Sequence, residues 1–229
     1  MADNYYKAAD KAIKRMDRDN LKAFNKLKMT DFGNTGMVRT VLGLYRKQKR
    51  KAKKEYRKIG MEAYIFALWL AEEDVTETEA EKMAEKAITE SWVDDILSET
   101  DFVTLYRFNS ETERKAQRLL EGLAIVTDTD YTQDAGRATR FTRNDLVDQA
   151  LKQWVKQLAQ FAINVTDYAM MQAYADAGIK EVVWEDAEDG RVCIECHSRN
   201  GQRYELEDVP PKPHVNCRCR LRPVVNAEE

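Results

Sequence analysis

All four cysteines and both histidines of this 229-residue chain lie within thirty residues near the end of the printed sequence. Cys193 and Cys196 form a Cys-x-x-Cys pair, and one tight turn can present two such thiolates at the spacing of a tetrahedral metal site. After a gap of seventeen residues, "HVNCRC" adds His214, Cys217 and Cys219. Free core thiols or a disulfide-linked tail would leave the position of His214 unexplained, so the pattern predicts a metal site.

Five side chains compete for the four places of such a site. Cys193 and Cys196 belong to any set of four, and His214 with either Cys217 or Cys219 gives a site of three cysteines and one histidine. Cys219 is slightly favoured over Cys217 as the last member of that set. A site of four cysteines, without His214, is the alternative.

The same residues argue against catalysis. Four protein ligands leave no coordination position for water, and a thiolate held by zinc is a poor nucleophile. His197 directly follows a ligand and is expected to point outward, and the chain has no histidine elsewhere to act as a base. Because about fifty residues rarely bury enough core to fold alone, we predict a structural Zn2+ that stabilises a small module, and no enzymatic activity.

The composition of the whole chain predicts a mainly helical protein. Charged residues make up 34% of it, while glycine and proline number only nine and four, which favours long helices over a sandwich or barrel. The first residues are charged and lack the apolar segment of a signal peptide, and the longest apolar run, Ala63–Ala71, is too short to cross a bilayer. A cytosolic protein is therefore expected.

Apolar periodicity predicts helices over residues 3–28 and over Val38–Glu73, with a glycine-containing loop at Thr30–Met37 between them. Gly60 is a candidate for a kink or break in the second helix, since glycine costs about 1 kcal/mol relative to alanine inside a helix. These long helices predict an elongated N-terminal region.

Further along the chain, the pattern Thr76-x-x-Glu79 is a capping box, which predicts the start of another helix with an apolar face. Asn109 or Ser110 is a candidate cap for a helix that ends near Gly122.

The polar segment Val126–Asp145 is expected to be a long loop or to contain a short helix. Thr142, with an aspartate three residues later, predicts the start of the longest uninterrupted helix. Gly178 stands where that helix is expected to end.

Beyond Gly178 the residues change in character, because "KEVVWEDA", "QRYEL" and "CRLRPVV" are short, β-branched or aromatic stretches bounded by glycine or proline. They predict a small sheet. We therefore predict two domains, a helical one over residues 1–177 and a small β-rich, zinc-binding module over residues 178–229.

Charge is unevenly distributed along the chain. Residues 1–60 carry eighteen basic and six acidic side chains, whereas residues 61–110 carry three basic and thirteen acidic ones. The two segments either neutralise each other in part as packed helices, or one faces an oppositely charged partner. The densest basic stretch has only two aromatic residues, which favours contact with an acidic protein surface over contact with DNA phosphates. Its candidate contact residues are Arg46, Lys47, Lys49, Arg50, Lys51, Lys53, Lys54, Arg57 and Lys58.

The last fifty or so residues resemble the C-terminal signature of the Mu F-like head morphogenesis family, the phage minor head proteins. All the signature residues occur in order. Val215 stands where the family usually has proline, and Lys212 and Pro213 fill the gap before the histidine, but neither departure removes a ligand. The matching residues are Gly178, Trp184, Asp189, Arg191, Cys193, Cys196, Gly201, Tyr204, Pro210, Pro211, His214, Asn216, Cys217, Arg218, Cys219 and Pro223.

The resemblance implies a minor capsid protein that is located near the portal vertex and acts in head morphogenesis, and in DNA packaging or ejection. The implied partners are the portal protein and the major capsid protein, with packaged double-stranded DNA as a further candidate. No membrane during assembly and no small-molecule substrate are implied. The implied location is the virion, after assembly in the host cytoplasm. The alternative is a nucleic-acid-binding zinc module on a helical scaffold.

Overall fold

The computed structural model describes residues 5–28, 34–97, 143–188, 190, 192–214 and 216–225. Within these ranges the protein is mainly helical and has a small antiparallel sheet near its C-terminal end, which confirms the predicted fold class. The helix predicted to start at Asn109 or Ser110 and most of the predicted polar loop at 126–145 lie outside the described residues. In the part of the chain that the structure describes, no helix is long and apolar enough to cross a membrane.

Six α-helices are described, and not all of them start at the residue that the sequence predicts. They are α1 (Lys7–Lys28), α2 (Asn34–Leu70), α3 (Glu77–Ala87), α4 (residues 90–97), α5 (Arg143–Asp176) and α6 (Ile194–Arg199).

The second helix, α2, is continuous through Gly60 and starts earlier than predicted. Residues 34–37 were predicted to belong to a loop, and this was wrong because glycine weakens a helix mainly in its interior and is tolerated in a first turn. Gly60 has a packing role instead. A Cβ atom at this position would lie 2.9 Å from Ile88 Cγ2 and 3.4 Å from Val165 Cγ1. The absent side chain therefore allows other helical elements to approach α2 closely.

The capping box is confirmed at the start of α3. Thr76 Oγ1 accepts a hydrogen bond from the Glu79 N–H at 3.4 Å, and Glu79 Oε2 accepts one from the Thr76 N–H at 3.0 Å. The helix then ends at Ala87, and α4 starts after a short break in which Thr89 Oγ1 accepts the N–H of Trp92 at 3.1 Å. A second threonine cap therefore divides the predicted apolar face between two helices.

The sheet has the strand order β2-β1-β3, and both pairings are antiparallel. Gly178 ends the preceding helix with a φ of 72°, which is the left-handed conformation that glycine adopts readily. Val182, Trp184 and Leu221 are buried on one face, as the alternation of a half-buried strand requires. The strands are β1 (Glu181–Glu185), β2 (Arg203–Glu205) and β3 (Arg220–Pro223), and a 3-10 turn follows β2 at Leu206–Asp208.

Contacts between Cα atoms divide the chain into two compact units. One unit consists of residues 1–13, 53–98 and 159–229, and the other of residues 14–52 and 99–158. The sheet therefore belongs to the same unit as the first turns of α1, the second half of α2, and α3. The predicted division into domains at residues 177 and 178 stays a prediction.

Candidate metal centre

The first two ligand candidates are positioned by the short helix α6. Cys193 is its N-cap residue, and its Sγ accepts a hydrogen bond from the N–H of Cys196 at 3.3 Å. The capping geometry turns both thiols to one side of the helix start. Cys196 is buried with 1% of its surface exposed, while Cys193 is partly exposed.

The remaining three candidates come from the loop between the 3-10 turn and β3. The ligand atoms of Cys193, Cys196 and His214 lie within 4.8 Å of one another, and so do those of Cys196, Cys217 and Cys219. The structure therefore brings all five predicted side chains into two triads that share Cys196. In the first triad, His214 Nε2 lies 3.3 Å from Cys196 Sγ, and in the second, Cys217 Sγ lies 3.6 Å from the same sulfur.

These distances fit the donor set of a zinc ion. Sulfur ligands about 2.3 Å from a tetrahedral zinc lie about 3.8 Å apart, and a nitrogen ligand lies slightly closer to its neighbours. Both measured separations come within a few tenths of an ångström of those values. Thiolate sulfur and imidazole nitrogen are also the ligands that zinc selects over harder metals. The two triads can therefore bind a metal ion.

Hydrogen bonds and charge favour the thiolate form of two of the cysteines. The N–H of Cys196 lowers the pKa of Cys193, and the thiol of Cys219, together with the charge of Lys212, lowers the pKa of Cys217 to about 5. Burial acts in the opposite direction on Cys196 and raises its pKa to about 12. Because zinc binds thiolates, Cys196 must lose a proton to the solvent when a metal binds.

His197 lies outside both triads, as the sequence suggested. Its side chain is 77% exposed, and its Nδ1 lies 2.9 Å from Asp186 Oδ2. Asp186 is buried and also accepts the N–H of Glu188 at 2.9 Å, and its bond with His197 lowers the pKa of the carboxyl group. This pair stabilises the turn after β1 and is separate from the cysteine cluster.

Tyr6, just before α1, Asp10 of α1 and Asp167 of α5 contact the loop that carries three of the candidates, and none of them was a predicted site residue. Lys212 Nζ lies 2.6 Å from Asp167 Oδ2 and 2.5 Å from the hydroxyl of Tyr6. Arg218 makes two hydrogen bonds to the Asp10 carboxylate, at 2.8 and 2.9 Å. The one available signal was Asp167, a lone carboxylate in the apolar run "AINVTDYAMM" on the last long helix.

The predicted basic contact residues whose side chains the structure describes divide into two groups. Lys53 forms an ion pair with Asp94, and Arg57 Nε donates to the Ile88 carbonyl at 2.9 Å, so these two basic side chains face the acidic segment of the same chain. The side chains of Arg46 and Lys49 lie outside the described part of the chain. Among the described side chains of α2, the exposed basic ones are Lys47, Arg50, Lys51, Lys54 and Lys58.

The long helices and the small sheet define a mainly helical protein, and the cysteines and the histidine near its C-terminal end lie close enough to bind a metal ion. Residues 126–222 match the family model described as Phage Mu protein F like protein. The match confirms the resemblance drawn from the sequence: this segment is similar to the Mu F-like family of phage head proteins. The match also includes α5, where the sequence showed no recognised motif. No curated protein and no solved structure matches the chain.

Proposed function

We propose that this protein is a minor head protein that acts at the portal vertex during head morphogenesis and takes part in DNA packaging or ejection. The Mu F-like match over residues 126–222 carries the proposal. In this role the protein assembles in the host cytoplasm with the portal protein and the major capsid protein, and it stays in the virion. It needs neither a membrane nor a small-molecule substrate.

The metal of the C-terminal module is structural Zn2+ in this proposal, and the protein is not an enzyme. Cys193, Cys196 and His214 provide three ligands. Cys219, which the sequence slightly favours, or Cys217, whose sulfur lies 3.6 Å from Cys196 Sγ, provides the fourth. A full set of four protein ligands would stabilise the small sheet and leave no position for a reacting water.

Locating the protein in purified particles tests the head function. Virions with a gold-labelled antibody against the protein, or an asymmetric reconstruction of the particle, should show it at a single vertex. The matched control is an antibody against the major capsid protein, which should label the whole shell. Absence from the virion, or uniform labelling over the shell, would contradict the proposal.

The exposed lysines and arginine of α2 favour a contact with a negatively charged partner. Lys54 and Lys58 are exposed one helical turn apart, and Lys47, Arg50 and Lys51 are exposed earlier on the same helix. We propose that this basic face contacts an acidic surface of the portal or capsid protein. Packaged DNA, or nucleic acid bound by a zinc module on a helical scaffold, is the competing partner.

A pair of matched charge reversals separates these partners. Lys54→Glu with Lys58→Glu should weaken binding to the purified portal protein by about tenfold, because each reversed charge replaces an attraction by a repulsion. Lys82→Glu with Lys86→Glu, at the same spacing on α3, should have little effect. Binding to random-sequence duplex DNA should be weak at moderate salt. A duplex affinity that falls steeply with salt and is lost only in the α2 variant would make DNA the partner instead.

A further inference from the structure

The loop from residue 212 to residue 219 carries metal-ligand candidates and anchoring side chains in an interleaved order. His214, Cys217 and Cys219 face the metal cluster. The residues between and before these three candidates bind to side chains of α1 and α5 instead. There are three such anchors. Lys212 pairs with Asp167, and Arg218 pairs with Asp10. The N–H of Asn216 donates to Gln160 Oε1.

Tyr6, at the start of the first helix, lies at the centre of these anchors. Its hydroxyl is 2.8 Å from both Asp167 Oδ1 and the Cys219 carbonyl, so it can donate its single proton to either one. The guanidinium of Arg218 lies 4.5 Å from the centre of the Tyr6 ring, and Lys212 Nζ lies 5.1 Å from it. Tyr6 is buried, with 5% of its surface exposed. The Tyr6 side chain therefore contacts the backbone of one ligand candidate, Cys219, and two of the anchors.

We propose that residues 5–13, which form the turn before α1 and the first turns of that helix, are a strap whose docking is coupled to metal binding by the 212–219 loop. The inference rests on the metal site of the proposed function. The strap and α5 hold the backbone of the loop while it presents His214 and the fourth ligand, so the loop needs less ordering when a metal binds. A bound metal in turn fixes the loop in the conformation in which its anchors meet Tyr6 and Asp10.

Thermodynamic linkage makes this coupling reciprocal. If docking of the strap raises the affinity for metal, then metal must stabilise the docked strap by the same factor. A purely structural role of Tyr6 would instead change the stability of the whole unit and leave the metal affinity of the folded chain unchanged. The two roles therefore differ in a measurable quantity.

A matched pair of tyrosine variants tests the first half of the coupling. Tyr6→Phe removes a hydroxyl that contacts Asp167, and Tyr64→Phe removes one that donates to Asp176 Oδ2 at 2.5 Å, a residue that lies outside the 212–219 loop. Competition of the full-length chain with a chromophoric zinc chelator should show affinity about tenfold weaker for Tyr6→Phe, the usual effect of losing a residue that orients a ligand. Tyr64→Phe should change the affinity less than twofold.

Amide hydrogen exchange tests the second half of the coupling, the stabilisation of the docked strap by metal. Removing zinc from the wild-type chain should speed the exchange of amides in residues 5–13 by at least tenfold, while the amides of α3 stay unchanged. Should Tyr6→Phe fail to fold, Asp10→Asn is the milder variant, because this carboxylate is 44% exposed and the substitution removes only its negative charge opposite Arg218.

Each outcome decides the proposal. Equal zinc affinities for the strap variants and the wild type, or exchange in residues 5–13 that ignores zinc, would overturn the coupling and leave the metal site intact. A wild-type chain that binds no zinc would overturn the coupling and the metal site together.

Discussion

Cys196→Ser is expected to abolish tight zinc binding and to destabilise the unit that contains the sheet. Cys196 belongs to both ligand triads and is buried, so its loss removes the side chain that joins them. A ligand present at about a thousand times its Kd stabilises the folded state by about 4 kcal/mol, and this contribution should disappear from the free energy of unfolding. Zinc content and denaturant titration in excess zinc measure the two effects.

The neighbouring His197 provides the control. His197→Gln changes an exposed side chain whose partner is Asp186, so zinc content should stay at the wild-type level. Cys217→Ser and Cys219→Ser then distinguish the two candidates for the fourth ligand, since only the serine at a ligand position should lose zinc. Full zinc binding by Cys196→Ser, or its loss in His197→Gln, would contradict the assignment.

Lys212→Met is expected to destabilise the protein increasingly as the pH rises. Burial raises the pKa of the Asp167 carboxyl group, and the ammonium of Lys212 opposes this rise. Without the ammonium the pKa of Asp167 rises further, so the folded variant binds this proton more tightly than the unfolded chain does. Its free energy of unfolding therefore falls as the pH passes from the ordinary range of aspartate through the raised pKa. The expected loss is small near pH 4 and about 3 kcal/mol at pH 8.

Chemical unfolding at several pH values, always compared with the wild type at the same pH, gives this profile. The double variant Lys212→Met with Asp167→Asn should regain most of the stability at pH 8, because no unpaired charge is then buried. Lys82→Met removes an exposed lysine from α3 and should follow the wild type at every pH. A loss in Lys212→Met that is the same at pH 4 and pH 8 would rule out the uncompensated carboxylate as its cause.

The elements that could be predicted from the sequence are those that depend on nearby residues. Thr76 and Glu79 lie three positions apart and form the predicted capping box. Gly178 ends its helix because its own backbone conformation requires glycine. The packing role of Gly60 depends on Ile88 and Val165, which approach from other parts of the chain, so no local pattern could show it.

The residues at the metal site also divide into those that are close in the sequence and those that only the fold brings together. The cysteines and His214 could be predicted because they cluster in the sequence and share one chemistry. The anchors could not, because Tyr6 lies 161 residues from Asp167, and Asp10 lies 208 residues from Arg218. A tyrosine and an aspartate on a charged helix have many ordinary roles, and only the folded chain brings them to the ligand loop.

The metal content of the purified full-length chain tests the central claim most directly. After removal of loosely bound ions, the chain should retain one zinc per molecule, and a strong chelator should release it together with loss of structure in the C-terminal sheet. A chain that retains no metal, has four freely titrating thiols and unfolds identically with and without zinc would contradict the account.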